Sequence, residues 1–423
     1  MSSVVTTRPS APPPAPATPQ PLSSYVQAYW RRVRGGDLGS LPAVLGIVVL
    51  VTGFSLYRPV FFTPGNFANL LPQAAGGVVI AMGLVFVLLV GEIDLSAGFT
   101  SGTCAALMTI LLGEHNVAWY VAIPIAIVTG TVIGMILGTL VAKVGIPSFV
   151  VTLAAFLALQ GVLLWLVKEG QYIPINDTTV LALANRNMPV WLGWLFLAVC
   201  VLLYAAVQIV RTIRRTRRGL TRDPLSLVAI RIGALGLFGA VGVYVLSLNR
   251  SLVPSGNLRG VPIVVPIVVV LLVLLTFVLK RTRYGLHLYA VGGNAEAARR
   301  AGIPVDRVRI SAFMVCSTLA AIGGILLASR ANSVDGRTGG ANLLLYAVGA
   351  AVIGGTSLFG GRGRVLDAVL GGIVVYIIDN GMGLLGDNLG KSWVRFVVTG
   401  LVLLGAAAVD AIARRRSQAA GLR

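Results

Sequence analysis

YGLHLYAVGGNAEAARRAGIPVDRVR, residues 284–309, is the longest polar passage between apolar runs in the C-terminal half of the chain. Its middle carries the signals of one short helix. Asn294 caps the first turn, Glu296 sits near the positive end of the helix dipole, and Arg299 and Arg300 sit near the negative end. Gly302 supplies a left-handed stop, and Pro304 forbids continuation. Between the caps, Ala295, Ala297, Ala298 and Ala301 leave a nearly bare backbone that another protein can approach closely. So short a helix has no core of its own and must be held by neighbours. A solvated turn between two membrane helices would account for the charges, but not for the full set of start and stop signals.

What flanks this passage is strongly apolar. Hydrophobic residues make up 56% of the 423 and charged residues 11%, against about a quarter charged in globular domains. The mean hydropathy of +0.88 then indicates a polytopic membrane protein. Runs long enough for about 30 Å of hydrocarbon fall near residues 41–57, 70–90, 97–112, 118–142, 148–167, 190–210, 225–247, 261–279, 310–328, 343–361, 366–385 and 392–411. The expected fold is an all-α bundle of about 10–12 transmembrane helices.

Topology follows from the basic residues. Residues 1–40 open on a proline-rich tract, APPPAPATPQP, which cannot bury a core and reads as a disordered arm without the form of a signal peptide. Arg31, Arg32 and Arg34 precede the first apolar run and place the N-terminus in the cytoplasm. By parity the clusters at 211–222, 280–309, Arg362 with Arg364, and 414–416 are also cytoplasmic, as are most of the 34 Lys and Arg. The reading is a transmembrane domain over 41–412, cytoplasmic loops near 211–224 and 280–309, and a basic cytoplasmic tail over 413–423. The net charge of +20 gathers in these loops rather than on one face, which excludes a nucleic-acid surface. Loops 168–189 and 329–341 fall on the outer side.

Cys104, Cys200 and Cys316 lie singly in apolar sequence, and His115 and His287 fall in loops on opposite sides. No disulfide or metal site is implied. GDNLGKS at 386–392 has one residue too few for a P-loop and no strand before it. No catalytic constellation is present either, so the chain is read as neither an ATPase nor any other enzyme.

Two passages interrupt the apolar sequence with glycine, GEIDLSAG at 91–98 and GGTSLFGGRGR at 354–364. Such paired breaks point to the translocation path of a transporter. Candidate path residues are Glu92, Asp94 and Ser96 in the first break and Gly354, Gly355, Thr356 and Ser357 in the second, together with Asp379 and Asn380 inside a later run. Capping of the following helix is an equal alternative for Glu92 and Asp94. An ANLL tetrapeptide precedes each break, which is suggestive of a repeat and no more. Gly130, Gly134 and Gly138, at four-residue spacing, read as a helix-packing face.

GEIDLS at 91–96, IPSFVVTLA at 146–154, YAVGGNAEAARRAGI at 289–303, VIGGTSLFGG at 352–361 and IDNGMG at 378–383 together resemble the membrane permease subunit of bacterial ABC importers for monosaccharides, the ribose/xylose permease family. The long insertion around 211–222 is most like the xylose-type branch. The resemblance implies two permease copies forming a homodimeric pore in the cytoplasmic membrane, a separate cytoplasmic ATPase that uses the ATP, and an external sugar-binding protein, with no cofactor held by this chain. It makes Gly293, Asn294, Ala295, Glu296, Ala297, Ala298, Arg299, Arg300, Ala301 and Gly302 the coupling helix on which the ATPase docks. The alternative is a proton-coupled secondary sugar transporter using Glu92, Asp94 and Asp379 as a relay.

Overall fold

The computed structural model describes residues 41–217, 224–251, 256–386 and 391–419, with the isolated residues 27 and 253. The expected disordered arm, part of the 211–224 loop, most of the GDNLGKS motif and the last residues of the tail lie outside them.

Fifteen α-helices are described: α1 Leu41–Tyr57, α2 Pro64–Leu89, α3 Ala97–Gly113, α4 Trp119–Thr139, α5 Ser148–Val167, α6 Thr178–Asn185, α7 Val190–Arg217, α8 Leu225–Ser247, α9 Val264–Arg281, α10 Arg283–Gly293, α11 Ala295–Arg300, α12 Val305–Ala331, α13 Ala341–Ile353, α14 Val365–Leu384 and α15 Ser392–Ala419. Eight of them are long and apolar enough to cross a membrane. A π-helical turn, Leu140–Val144, extends α4. Helix α15 runs on through most of the stretch read as the basic tail.

One expected crossing, the 343–361 run, is shorter than predicted, and another, 97–112, is found at its expected length but falls short of the hydrocarbon thickness. Helix α13 has 13 residues and rises about 20 Å, and α3 has 17 and rises about 26 Å, against the roughly 30 Å of a hydrocarbon core. The loop before α13 reaches the start of α3, where Gly339 packs against Gly98 and Gly102. The 343–361 run is therefore a half-length helix followed by a turn. The all-α expectation also needs one amendment, because β1 (Tyr172–Pro174) pairs antiparallel with β2 (Ser333–Asp335). The ribbon joins the two loops expected on one side of the membrane.

The chain divides into two compact units, one holding residues 191–244 and the other residues 36–190 and 245–423. In the larger unit α2 is the central helix, buried almost continuously from Ala74 to Leu89. Small residues let α12 come close: a Cβ on Gly323 would stand 2.7 Å from Gly76 O. Helix α4 packs on the other face of α12 as its glycine spacing predicts, since side chains at Gly130, Gly134 or Gly138 would strike the α12 backbone. In the smaller unit α7 and α8 expose Leu202, Leu203, Leu237 and Phe238, side chains suited to lipid rather than water. Within the larger unit the two ends of this insertion are held together. Asn187 bridges Pro262, Met188 N–H donates to Val261 O at 2.7 Å, and Ile263 N–H donates to Arg186 O at 3.0 Å.

Candidate functional site

The first glycine break follows directly from the end of α2. Gly91 takes the left-handed conformation (φ +79°), which a residue with a Cβ rarely adopts. Asp94 then folds back on the start of α3, its Oδ1 accepting from Ser96 N–H at 2.9 Å and Ser96 Oγ at 2.6 Å. Both residues are fully buried. Asp94 Oδ2 has no hydrogen-bond partner of good geometry, although the Cys316 thiol approaches the carboxyl. Glu92 makes an ion pair with Arg309 at 3.2 Å. Ser148 and Thr152 of α5 hydrogen-bond the Ile93 backbone.

The second break is the turn between α13 and α14. Gly355, Gly360, Gly361 and Gly363 all have positive φ, and Thr356 and Ser357 are buried between them. Gly354 lies so close to the Asp367 carbonyl that no side chain fits. Arg364 closes the turn with a 2.7 Å ion pair to Asp367.

These two breaks meet each other and the helix before 294–301. Gly361 N–H donates to Leu89 O at 2.9 Å. A Cβ on Gly360 would stand 2.8 Å from Gly292 O and 3.0 Å from Gly91 N, and one on Gly292 would collide with Leu89 O. Tyr289 Oη donates to Gly363 O at 2.7 Å; burial, reinforced by the Asp367 charge, holds its phenol above the ordinary value. Three backbones thus touch with no side chain between them, so a displacement of one is delivered to the others with little slack.

Helix α11 is capped as the sequence indicates. Ala297 N–H donates to Asn294 Oδ1 at 2.9 Å, and Gly302 has φ +80°. Glu296 pairs with Arg300 at 3.1 Å and with Arg299 at 3.6 Å. The all-alanine face is divided, however. Ala298 is buried and backs onto the bundle, and Ala297 and Ala301 are exposed. Before α11 stands α10, a helix in a passage expected to be loop.

Asp379 and Asn380 are found at the opposite end of α14, in a separate network. Gln73 of α2 donates to Asp379 Oδ2 at 2.8 Å and accepts from Asn380 at 3.1 Å. Asn66 donates to Asn380 at 2.9 Å, and Arg395 of α15 lies 3.2 Å from Asp379. None of the nine residues expected on the path lines the cavity of about 720 Å³ between α2, α3, α5, α12 and α13, which is walled by Phe99, Phe156, Gln160, Arg330 and the 336–343 segment. The signal for it was a glutamine within each of two apolar runs, Gln73 and Gln160. Among the described residues no cluster suited to a metal ion is found.

Residues 66–407 match the family described as branched-chain amino acid transport system / permease component. The chain is 34% identical over 367 residues to the xylose transport system permease protein XylH of Escherichia coli, covering 84% of this chain and 87% of the relative. The chain belongs to this permease family. The permease is also 30% identical over 373 residues to the xylose transport system permease protein XylH of Haemophilus influenzae, covering 87% and 94% of the two chains. It is 29% identical over 369 residues to the ribose import permease protein RbsC of E. coli, covering 87% and 92%. No solved structure matches it. As a permease of the ribose/xylose type it is a multi-pass protein of the cytoplasmic membrane and a transport component, not an enzyme.

Proposed function

We propose that this permease is the membrane subunit of an ATP-driven importer that carries a monosaccharide, a pentose such as D-xylose, into the cytoplasm. Two copies form the pore. A separate ABC ATPase docks from the cytoplasm on α11, and an external sugar-binding protein delivers the substrate to the other side. Both termini and the 211–224 and 280–309 loops are cytoplasmic on this reading. The observation that carries it is the union of the capped, exposed α11 with both glycine breaks through Gly292, Gly360 and Leu89. A push on α11 reaches α2, α3, α13 and α14 at one point. Glu92, Asp94, Ser96 and Gly354 to Ser357 then act where that motion enters the path, and Asp379 and Asn380 act where it must open at the far end. The names of the relatives support a sugar as cargo and favour xylose.

The test is radiolabelled D-xylose uptake into proteoliposomes holding the permease, its ATPase and its binding protein. Uptake that needs all three proteins and internal-face ATP is expected. Uptake by the permease alone, abolished by a protonophore, would instead establish the proton-coupled alternative. Against that alternative, Glu92 and Asp379 are each already engaged by an arginine, at 3.2 Å in both cases.

A further inference from the structure

Helix α5 crosses apolar surroundings yet carries Gln160 one turn beyond Phe156, so the amide and the ring share one face. That face borders the 720 Å³ cavity. Among the described residues the Gln160 amide makes no hydrogen bond, and neither do the Asn342 amide and the Arg337 guanidinium on the facing wall. Gln160 lies within an apolar helix, where a polar group with no protein partner must be hydrated or met by a ligand, while Asn342 and Arg337 stand exposed at the rim of the facing wall. Phe99 braces the Phe156 ring edge-on, with centroids 4.7 Å apart at 69°. The wall opposite is also fixed, because Gly339 sits against Gly102 N of α3. The cavity therefore has one flat apolar surface, two free amides and one free guanidinium.

Resting on the importer reading above, we propose that this cavity is a transit subsite for a neutral monosaccharide, with Phe156 and Gln160 as its selective pair. A sugar ring has a face of C–H groups, which packs on the Phe156 ring, and a rim of hydroxyls that both donate and accept. Each amide offers two donors and a carbonyl acceptor, so Gln160 and Asn342 can engage that rim from opposite walls. The charge of the lining separates substrate classes. No Asp or Glu lines the cavity, so the ammonium of an amino acid finds no counter-charge there, although the Arg337 guanidinium could meet its carboxylate. A neutral solute is thereby favoured over an amino acid here, although the family description names amino acids. The volume suits a small solute with part of its hydration, since it equals the share of roughly two dozen waters at about 30 Å³ each.

Two measurements test the subsite. In the three-protein proteoliposomes, Gln160→Leu and Phe156→Ala should each lower D-xylose uptake about tenfold, the loss of one good interaction. Gln160→Asn and Phe156→Trp should recover part of it and change the ratio of D-xylose to D-ribose uptake, which a purely structural defect would not move. Second, the thiol of Gln160→Cys should react with a membrane-impermeant maleimide added to right-side-out vesicles, and D-xylose with its binding protein should slow that reaction. Wild-type assembly that imports neither sugar would sink the importer reading itself. Wild-type uptake with unaltered rates in both truncated variants, or a thiol at 160 that never reacts from outside, would overturn the subsite alone. A thiol protected by leucine and not by xylose would replace the sugar with an amino acid and overturn the proposed class.

Discussion

Arg309 Nε stands 3.2 Å from Glu92 Oε1, which fastens the first turns of α12 to the break after α2. Both side chains are mostly buried, so the pair is less screened than a surface bridge. Replacing Glu92 with Gln leaves the arginine without its counter-charge and should cost about 1–3 kcal/mol. The thermal-unfolding midpoint of the detergent-solubilised protein should fall for Glu92→Gln and for Arg309→Gln, and the double variant should lose less than the sum. Additive losses would show that the two do not act as a pair.

Gly292 should tolerate no side chain. Gly292→Ala sets a methyl into the Leu89 carbonyl, and such overpacking costs about 1–3 kcal/mol. The protein should still insert and bind its ATPase, with sugar uptake lowered roughly tenfold relative to ATP consumed. Gly293, where an added Cβ meets nothing, is the control, and Gly293→Ala should transport normally. Equal behaviour of the two would remove Gly292 from the coupling route.

On α11, bulk should act differently at neighbouring alanines. Ala297→Trp projects from an exposed position and should release the ATPase in a pull-down without lowering the unfolding midpoint. Ala298→Trp must displace the buried contacts beneath the helix and should lower it. Glu296→Gln removes only exposed ion pairs, each worth about 0–1 kcal/mol, and should leave capture of the ATPase intact. Unchanged capture by Ala297→Trp would refute docking on this face.

Asp379 gathers Gln73, Tyr346 and Arg395 from three helices. Asp379→Asn keeps the shape and removes the charge. It should loosen α15, seen as faster proteolysis of the C-terminal segment, while uptake stays insensitive to a protonophore. Uptake that becomes sensitive only in the wild type would make this carboxylate a proton carrier after all.

The features legible in the sequence are those with local causes. Asn294, Glu296 and Gly302 declare a helix start and stop within one short segment, and Gly130, Gly134 and Gly138 declare a close contact through their spacing alone. Hydropathy located the long helices but overextended the 343–361 run, because counting apolar residues does not reveal that Gly354 and Gly355 turn the chain. The β1–β2 ribbon has three residues per strand, too few to display an alternation. The inward side of Ala298 was hidden for another reason: four alanines look alike until neighbours choose a face. Helical spacing relates Phe156 to Gln160 on α5, but nothing in the sequence brings that pair to Phe99 of α3 and Asn342 of α13 around one cavity.

The antiparallel bridge of Asn187 and Pro262 has a bearing on how such a chain can change length. The backbone enters and leaves the α7–α8 hairpin at adjacent points that are already hydrogen-bonded to each other. Everything between them can be exchanged for a tight turn without moving either anchor. The hairpin is thus a cassette, and a gene that gained or lost it would encode the same larger unit, closed at one and the same pair of backbone anchors.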